Sequence, residues 1–161
     1  MPLNSDLVQS VIGAHFPAAR EKSRAGATEG IPVFVSVPVG APLHVDGVTY
    51  KHALFIAPCN GCYIKEGWLS AAVAAAGGTN TFAVDNYDAS ANAARNVLST
   101  ATIDPTTVTA VEGLQLTLTT TLANRLMDEG DVLNCTLVCG TETTQGEGYV
   151  ATFLIIVPDP L

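Results

Sequence analysis

The sequence predicts an all-β fold: an antiparallel, jelly-roll-like β-sandwich preceded by an extended N-terminal arm that contains a short helix. Three observations lead there. Between Val111 and Pro158 apolar residues recur at every second position, run after run, which is the period of half-buried antiparallel strands. Turn residues such as Asn60-Gly61, Gly77-Gly78 and Glu129-Gly130-Asp131 separate the apolar runs, as short strands joined by tight turns require. Residues 1–30 lack that pattern, which divides the chain into an arm, 1–30, and a sandwich domain, 31–161.

Within the arm, Ser5 to Gly13 reads as a short helix. Ser5 caps it, Asp6 sits in its first turn, Leu7, Val8, Val11 and Ile12 form one stripe, and Gly13 ends it. So short a helix is not stable alone in water. Its stripe, with Phe16, needs another surface to be buried against. Ala14 to Gly30 is small and charged without a period.

The domain opens with Ile31, Val33, Val35, Val37 and Val39 alternating with Pro32, Phe34, Ser36 and Pro38. Two prolines on one face cannot donate to a ladder, so this is an edge strand or an extended arm. A strand over Val48 to Ala57 follows, then a turn at Pro58 to Gly61 with Asn60-Gly61 as a hairpin dipeptide. Cys62 to Ala74 and Thr79 to Tyr87 read as two strands of a hairpin turning at Ala76-Gly77-Gly78, although the alanines also suit a helix. Asp88 to Leu98 has Ala91, Ala94, Val97 and Leu98 at helical spacing after a capping Asp88, and reads as a helix or as a loop with one helical turn. Asp104-Pro105 marks a turn. Leu114, Leu116 and Leu118 alternate as a strand, Arg125 to Asp131 turns, and Leu133, Cys135 and Leu137 share one face of the next strand. The last strand, Tyr149 to Val157, is apolar on both faces, which marks a central strand covered on each side.

At 161 residues the chain fits one domain, and such a length buries roughly 70% of its unfolded surface. Charged residues make up 14% of the chain, against about 25% in ordinary domains. A surface this short of charge suits a molecule packed against partners. The formal net charge is -8, and from Val97 onward Arg125 is the single basic residue. Direct nucleic-acid binding is therefore disfavoured, since nothing there would displace counterions from phosphates. No stretch reads as a transmembrane span. Met1 is followed by neither a basic nor an apolar leader segment, so the expectation is a protein made in a cytosol that stays there or leaves by cell lysis.

Chemistry-bearing constellations are sparse. Cys59, Cys62, Cys135 and Cys139 suggest a CxxC plus CxxxC zinc site, but positions four apart in a strand lie about 13 Å from each other. Zinc needs its ligands within about 2.3 Å, so the cysteines read as small apolar core residues, with no metal and no cofactor. Cys59 with His52 or His44 would make a nucleophile and base without any flanking motif; His15 is the third histidine. Asp128, Glu129 and Asp131 could ligate calcium or form a charged hairpin tip, and Asp85 and Asp88 are a second carboxylate pair. The glycines near Gly77 and Gly146 lack the lysine of a phosphate loop. Trp68, Tyr63, Tyr87 and Tyr149 could stack on sugars, or lie in the core or at a subunit contact.

The order of elements carries a resemblance. The Pro/Val strand is followed by Val97-Leu98-Ser99, Ile103-Asp104-Pro105, Gly113-Leu114-Gln115-Leu116-Thr117-Leu118, Leu126-Met127-Asp128-Glu129-Gly130-Asp131-Val132-Leu133 and Gly146-Glu147-Gly148-Tyr149-Val150. Over residues 31 to 158 this texture resembles the head decoration (cement) or minor capsid proteins of tailed bacteriophages. The resemblance implies a non-enzymatic structural protein on the virion surface, bound to the major capsid protein as a homotrimer and bracing the shell. It transfers no contact residue. The residues themselves nominate Leu7, Val11, Ile12, Phe16, Ile31, Val33 and Val35 as the partner interface, each apolar without an evident core of its own. The competing expectations are a glycan- or host-surface-binding module carried by Trp68, and a small hydrolase or metal enzyme using Cys59 and His52.

Overall fold

The structure is a computed structural model that describes residues 30–40, 47–109, 112–141, 144 and 146–159. The arm and its expected helix lie outside them, except for Gly30. The described residues form nine strands: β1 Ile31–Val39, β2 Thr49–Ile56, β3 Cys62–Ser70, β4 Thr81–Asp88, β5 Ala93–Asn96, β6 Leu114–Gln115, β7 Leu126–Met127, β8 Val132–Val138 and β9 Tyr149–Val157. One 3-10 turn, Pro105–Thr107, and one α-helical turn, α1 at Leu122–Arg125, interrupt them.

All pairings are antiparallel, and they nest. β1 pairs with β9, β2 with β8, β3 with β6 and β4 with β5, which is one long ribbon of strands folded back on itself. The ribbon then rolls up, closing through β3–β9 and β4–β8. Two sheets result, β1-β9-β3-β6 with β7 added on β3, and β2-β8-β4-β5. This is jelly-roll topology, and the expected all-β sandwich is present.

The alternating patterns point inward across a shared core. The first sheet contributes Val39, Ile64, Leu69, Tyr149, Ala151, Phe153 and Ile155, and the second Leu54, Phe82, Val84, Leu133, Cys135 and Leu137, all buried. Gly67 lies on the inner face of β3 opposite Phe153, and a Cβ there would stand 2.6 Å from the Phe153 ring. Only glycine lets that ring pack against the strand. β1 is an edge strand, as its prolines require, and its nine residues stay in register with β9. The Asp104-Pro105 turn is realised: the Asp104 carboxylate accepts from the Thr106 N–H at 2.9 Å and caps the 3-10 turn.

Four local expectations change. Asn60-Gly61 and Ala76-Gly77-Gly78 are not hairpin turns, because β2, β3 and β4 alternate between the two sheets. A turn dipeptide encodes a reversal of the chain, not the strand on which the next segment pairs. Asp88 to Leu98 is neither a helix nor a loop with one helical turn: it is a turn followed by strand β5, paired with β4. Asp88 does cap, accepting from the Ala91 N–H at 2.8 Å and the Ser90 hydroxyl at 2.7 Å. Asn92 then takes a positive φ of 52°, turning the chain back so that Arg95 pairs with Asp88. Leu114 to Leu118 yields only a two-residue strand and an isolated Leu98–Leu118 bridge, since at the sheet margin it meets just the end of β3. Finally, β9 is central within its sheet, but no described residue covers its outer side.

Candidate interaction face

A strand that is apolar at consecutive positions buries one set of side chains and presents the other. In β9 the presented set is Val150, Thr152, Leu154 and Ile156, all half-buried. Register places Pro38, Ser36, Phe34 and Pro32 of β1 beside them on one flank, and Ser70, Trp68, Glu66 and Tyr63 of β3 on the other. Phe34 is 67% exposed. The outer face of the other sheet differs in kind. There Thr81, Ala83 and Asp85 lie beside Val138, Thr136 and Asn134, with Thr49, Lys51 and Ala53 beyond. The first outer face is thus apolar and aromatic along its length, whereas the second is small and polar until its end, where Tyr87, Val132 and Ile56 lie in register and Ile56 is 63% exposed.

The apolar face depends on a β-bulge. Tyr63 and Trp68 are five positions apart, so a regular strand would send them to opposite faces. The register against β9 shifts between Ile64 and Glu66, leaving Lys65 as the extra residue, and that one-residue insertion brings both rings to the outside. The carbonyls next to the bulge are met by Arg125, whose Nε donates to Ile64 O at 2.9 Å and whose Nη2 donates to Lys65 O at 2.8 Å. Its guanidinium also lies 4.6 Å from the Tyr63 ring centroid, a cation–π distance. Arg125 is held by α1, which is tied down in turn by Asn124 Nδ2 donating to Asn96 O at 2.9 Å and Arg95 Nη1 donating to Ala123 O at 3.2 Å. At this end the face falls into a cavity of about 390 Å³ whose lining includes Gly30, Tyr63, Lys65, Leu126 and Ile156.

Of the nominated interface residues, Leu7, Val11, Ile12 and Phe16 lie outside the described residues. Ile31, opposite Val157, shares the inner side of β1 and is 52% exposed because it lies at the strand's end. Val33 and Val35 turn to the inner side of β1, opposite Ile155 and Phe153, and Val35 packs on the core. The exposed apolar side chain that β1 presents on its outer face is Phe34. Phe34, Leu154 and Ile156 were not among the residues nominated from the sequence, because the apolar run of β9 reads equally as a strand covered within its own domain.

The remaining candidates are separated. Tyr149 is buried and Tyr87 lies on β4 of the other sheet, so only Trp68 and Tyr63 share a surface. Cys59 and Cys62 approach to 3.9 Å between sulfurs, and burial, with the Cys59 side chain adding to it, pushes the Cys62 thiol up to about 11. Burial likewise pushes Cys135 up to about 12. No group of three His, Cys, Asp or Glu among the described residues is placed to hold a metal. His52 faces Cys135 in register, not Cys59, and its Nε2 accepts from the Gly40 N–H at 3.0 Å; His15 and His44 lie outside the described residues. The buried Asp131 carboxylate accepts from the N–H groups of Ala89 and Asp128, each at 3.0 Å. That carboxylate ties the turn between β7 and β8, which is not a hairpin because the two strands lie in different sheets, to the β4–β5 turn.

No helix among the described residues is long and apolar enough to cross a membrane. No family model, curated protein or solved structure matches the chain.

Proposed function

We propose that this protein is a non-enzymatic structural component that decorates and stabilises a bacteriophage capsid, associating as a homotrimer and held on the major capsid protein through its arm and the outer face of the β1-β9-β3 sheet. The observation that carries this reading is the continuous apolar row on the outer face of the β1-β9-β3 sheet, with Phe34 67% exposed and Leu154, Ile156 and Trp68 half-buried beside it. Burying Phe34 against a partner contributes up to about 1.5–3 kcal/mol, and Leu154 and Ile156, already half-buried, contribute correspondingly less. Exposed contiguous apolar surface of this kind marks protein contact sites. Jelly rolls are also a common scaffold of viral capsid domains, an analogy of fold and not of site.

The test is co-sedimentation of the full chain with capsids stripped of decoration. Phe34→Asp and Leu154→Asp should empty the lattice sites, while Thr136→Asp on the polar face should leave occupancy unchanged. Full occupancy by both face variants sinks the proposal. Trp68 on the same face supports a second reading, glycan binding by ring stacking. Trp68→Ala would then abolish binding on a glycan array, and an array without signal for the parent protein removes that reading.

A further inference from the structure

Contiguous apolar surface on a free subunit invites association before any lattice is present, and the chain carries material suited to cover it. Gly30 lines the cavity at the Ile156 end of the face, beside Lys65. A Cβ at Gly30 would stand 1.9 Å from the Val157 carbonyl oxygen, so this position accepts only glycine against the end of β9. The preceding chain therefore departs from the rim of the uncovered face. The residue before Gly30 is Glu29, opposite in charge to Lys65 in the cavity lining.

Reach and composition agree with this departure point. Residues 17–29 form a tether able to span about 43 Å when extended, whereas β9 is about 30 Å long at about 3.3 Å per residue. Phe16 and the stripe before it can thus reach every row of the face. That stripe, Leu7, Val8, Val11 and Ile12, is apolar at helical spacing. A short tether also raises the local concentration of its own segment to the millimolar range, which favours the chain's own face over that of a second copy.

We propose that residues 5–16 lie over the outer face of the β1-β9-β3 sheet of their own chain in the free protein, as an internal cover that a docking partner displaces. The inference rests on the reading of this face as a docking surface. Trp68, the single tryptophan, lies on that face and reports on the cover directly. Acrylamide quenching of Trp68 is measured in the full chain, in a Val11→Asp/Ile12→Asp double variant and in Phe16→Ser, over a series of protein concentrations. The expected result is a several-fold rise in the quenching constant for the double variant and a smaller rise for Phe16→Ser, at every concentration. Equal quenching in all three overturns the proposal. A difference that appears only as concentration rises also overturns it, and names a second copy as the occupant. Capsid co-sedimentation of the parent protein is scored separately: occupancy without a quenching difference rejects the cover alone, and a quenching difference without occupancy rejects the capsid reading alone.

Discussion

Removing the Arg125 side chain should loosen the structure at the one place where the apolar face depends on an irregularity. Arg125→Ala deletes two hydrogen bonds from a charged donor, at 2.9 and 2.8 Å, and the stacking on Tyr63. Hydrogen bonds of charged groups contribute about 1.5–3 kcal/mol each when shielded. Arg125 is only half-buried, so solvent screening reduces the pair to about 2–3 kcal/mol in total, and the stacking adds about 0.5–1 kcal/mol. For a chain of 161 residues, a loss of about 3 kcal/mol corresponds to a fall in Tm of about 6–12 °C. Arg125→Lys keeps the charge but lacks the planar fork that spans two adjacent carbonyls, so it should recover less than half of the loss. Urea and thermal unfolding followed by circular dichroism provide both numbers. The reasoning is refuted if Arg125→Ala stays within about 0.5 kcal/mol of the parent, the usual range of surface changes, or if Arg125→Lys restores full stability.

Four further outcomes follow from the carboxylates and thiols. Asp131→Ala leaves the Ala89 and Asp128 N–H groups without their acceptor and should cost about 2–4 kcal/mol in urea unfolding; an unchanged midpoint would show that water replaces the carboxylate. Burial raises the pKa of Asp85, so its favourable contribution is present below the unfolded pKa and lost as pH rises through the folded one. Asp85→Asn should therefore stabilise the protein at neutral pH and change nothing in strong acid. Hydrogen bonds from the Ala91 N–H and the Ser90 hydroxyl hold Asp88 below its ordinary 3.8, so its stabilisation is present above the unfolded pKa and lost as pH falls through the folded one. Asp88→Asn should lower neutral-pH stability and flatten the acid limb of the stability curve, and an unaltered limb would contradict this assignment. Iodoacetamide should label Cys59 well before Cys62 and Cys135, whose thiols are pushed up to about 11 and about 12, because the thiolate is the reactive form. Equal native-state labelling rates would overturn that order.

Elements whose signal is local were legible without the structure. Leu133, Cys135 and Leu137 alternate because one face of β8 meets the core, and a period of two survives any choice of pairing partner. Pro32 and Pro38 exclude a central position for β1 by chemistry alone. Asp104 before Pro105 caps a turn through its own carboxylate. Elements defined by distant partners were not legible. Ala91, Ala94, Val97 and Leu98 fit a helical stripe, yet pairing with β4 makes strand β5 from the middle of that segment. The candidate face was half legible: the apolar run of β9 stands in the sequence, but Val33 and Val35 drew the nomination that belongs to Phe34, because nothing local says which side of an edge strand faces inward.

The amino-acid pattern alone determined that this chain forms antiparallel strands, where most of them begin and end, and that its surface carries little charge, since these follow from side-chain period, turn chemistry and composition. Only the tertiary structure decided that β1 to β4 alternate between two sheets, that a bulge at Lys65 turns Tyr63 and Trp68 to the same side, and that the outer side of β9 stays uncovered by the described residues. Those outcomes depend on which residues, 80 or more positions apart in pairs such as Ser70 and Val150, come into register. A one-residue shift in register exchanges the faces of a strand, and that choice is made by packing across the whole core rather than within any segment.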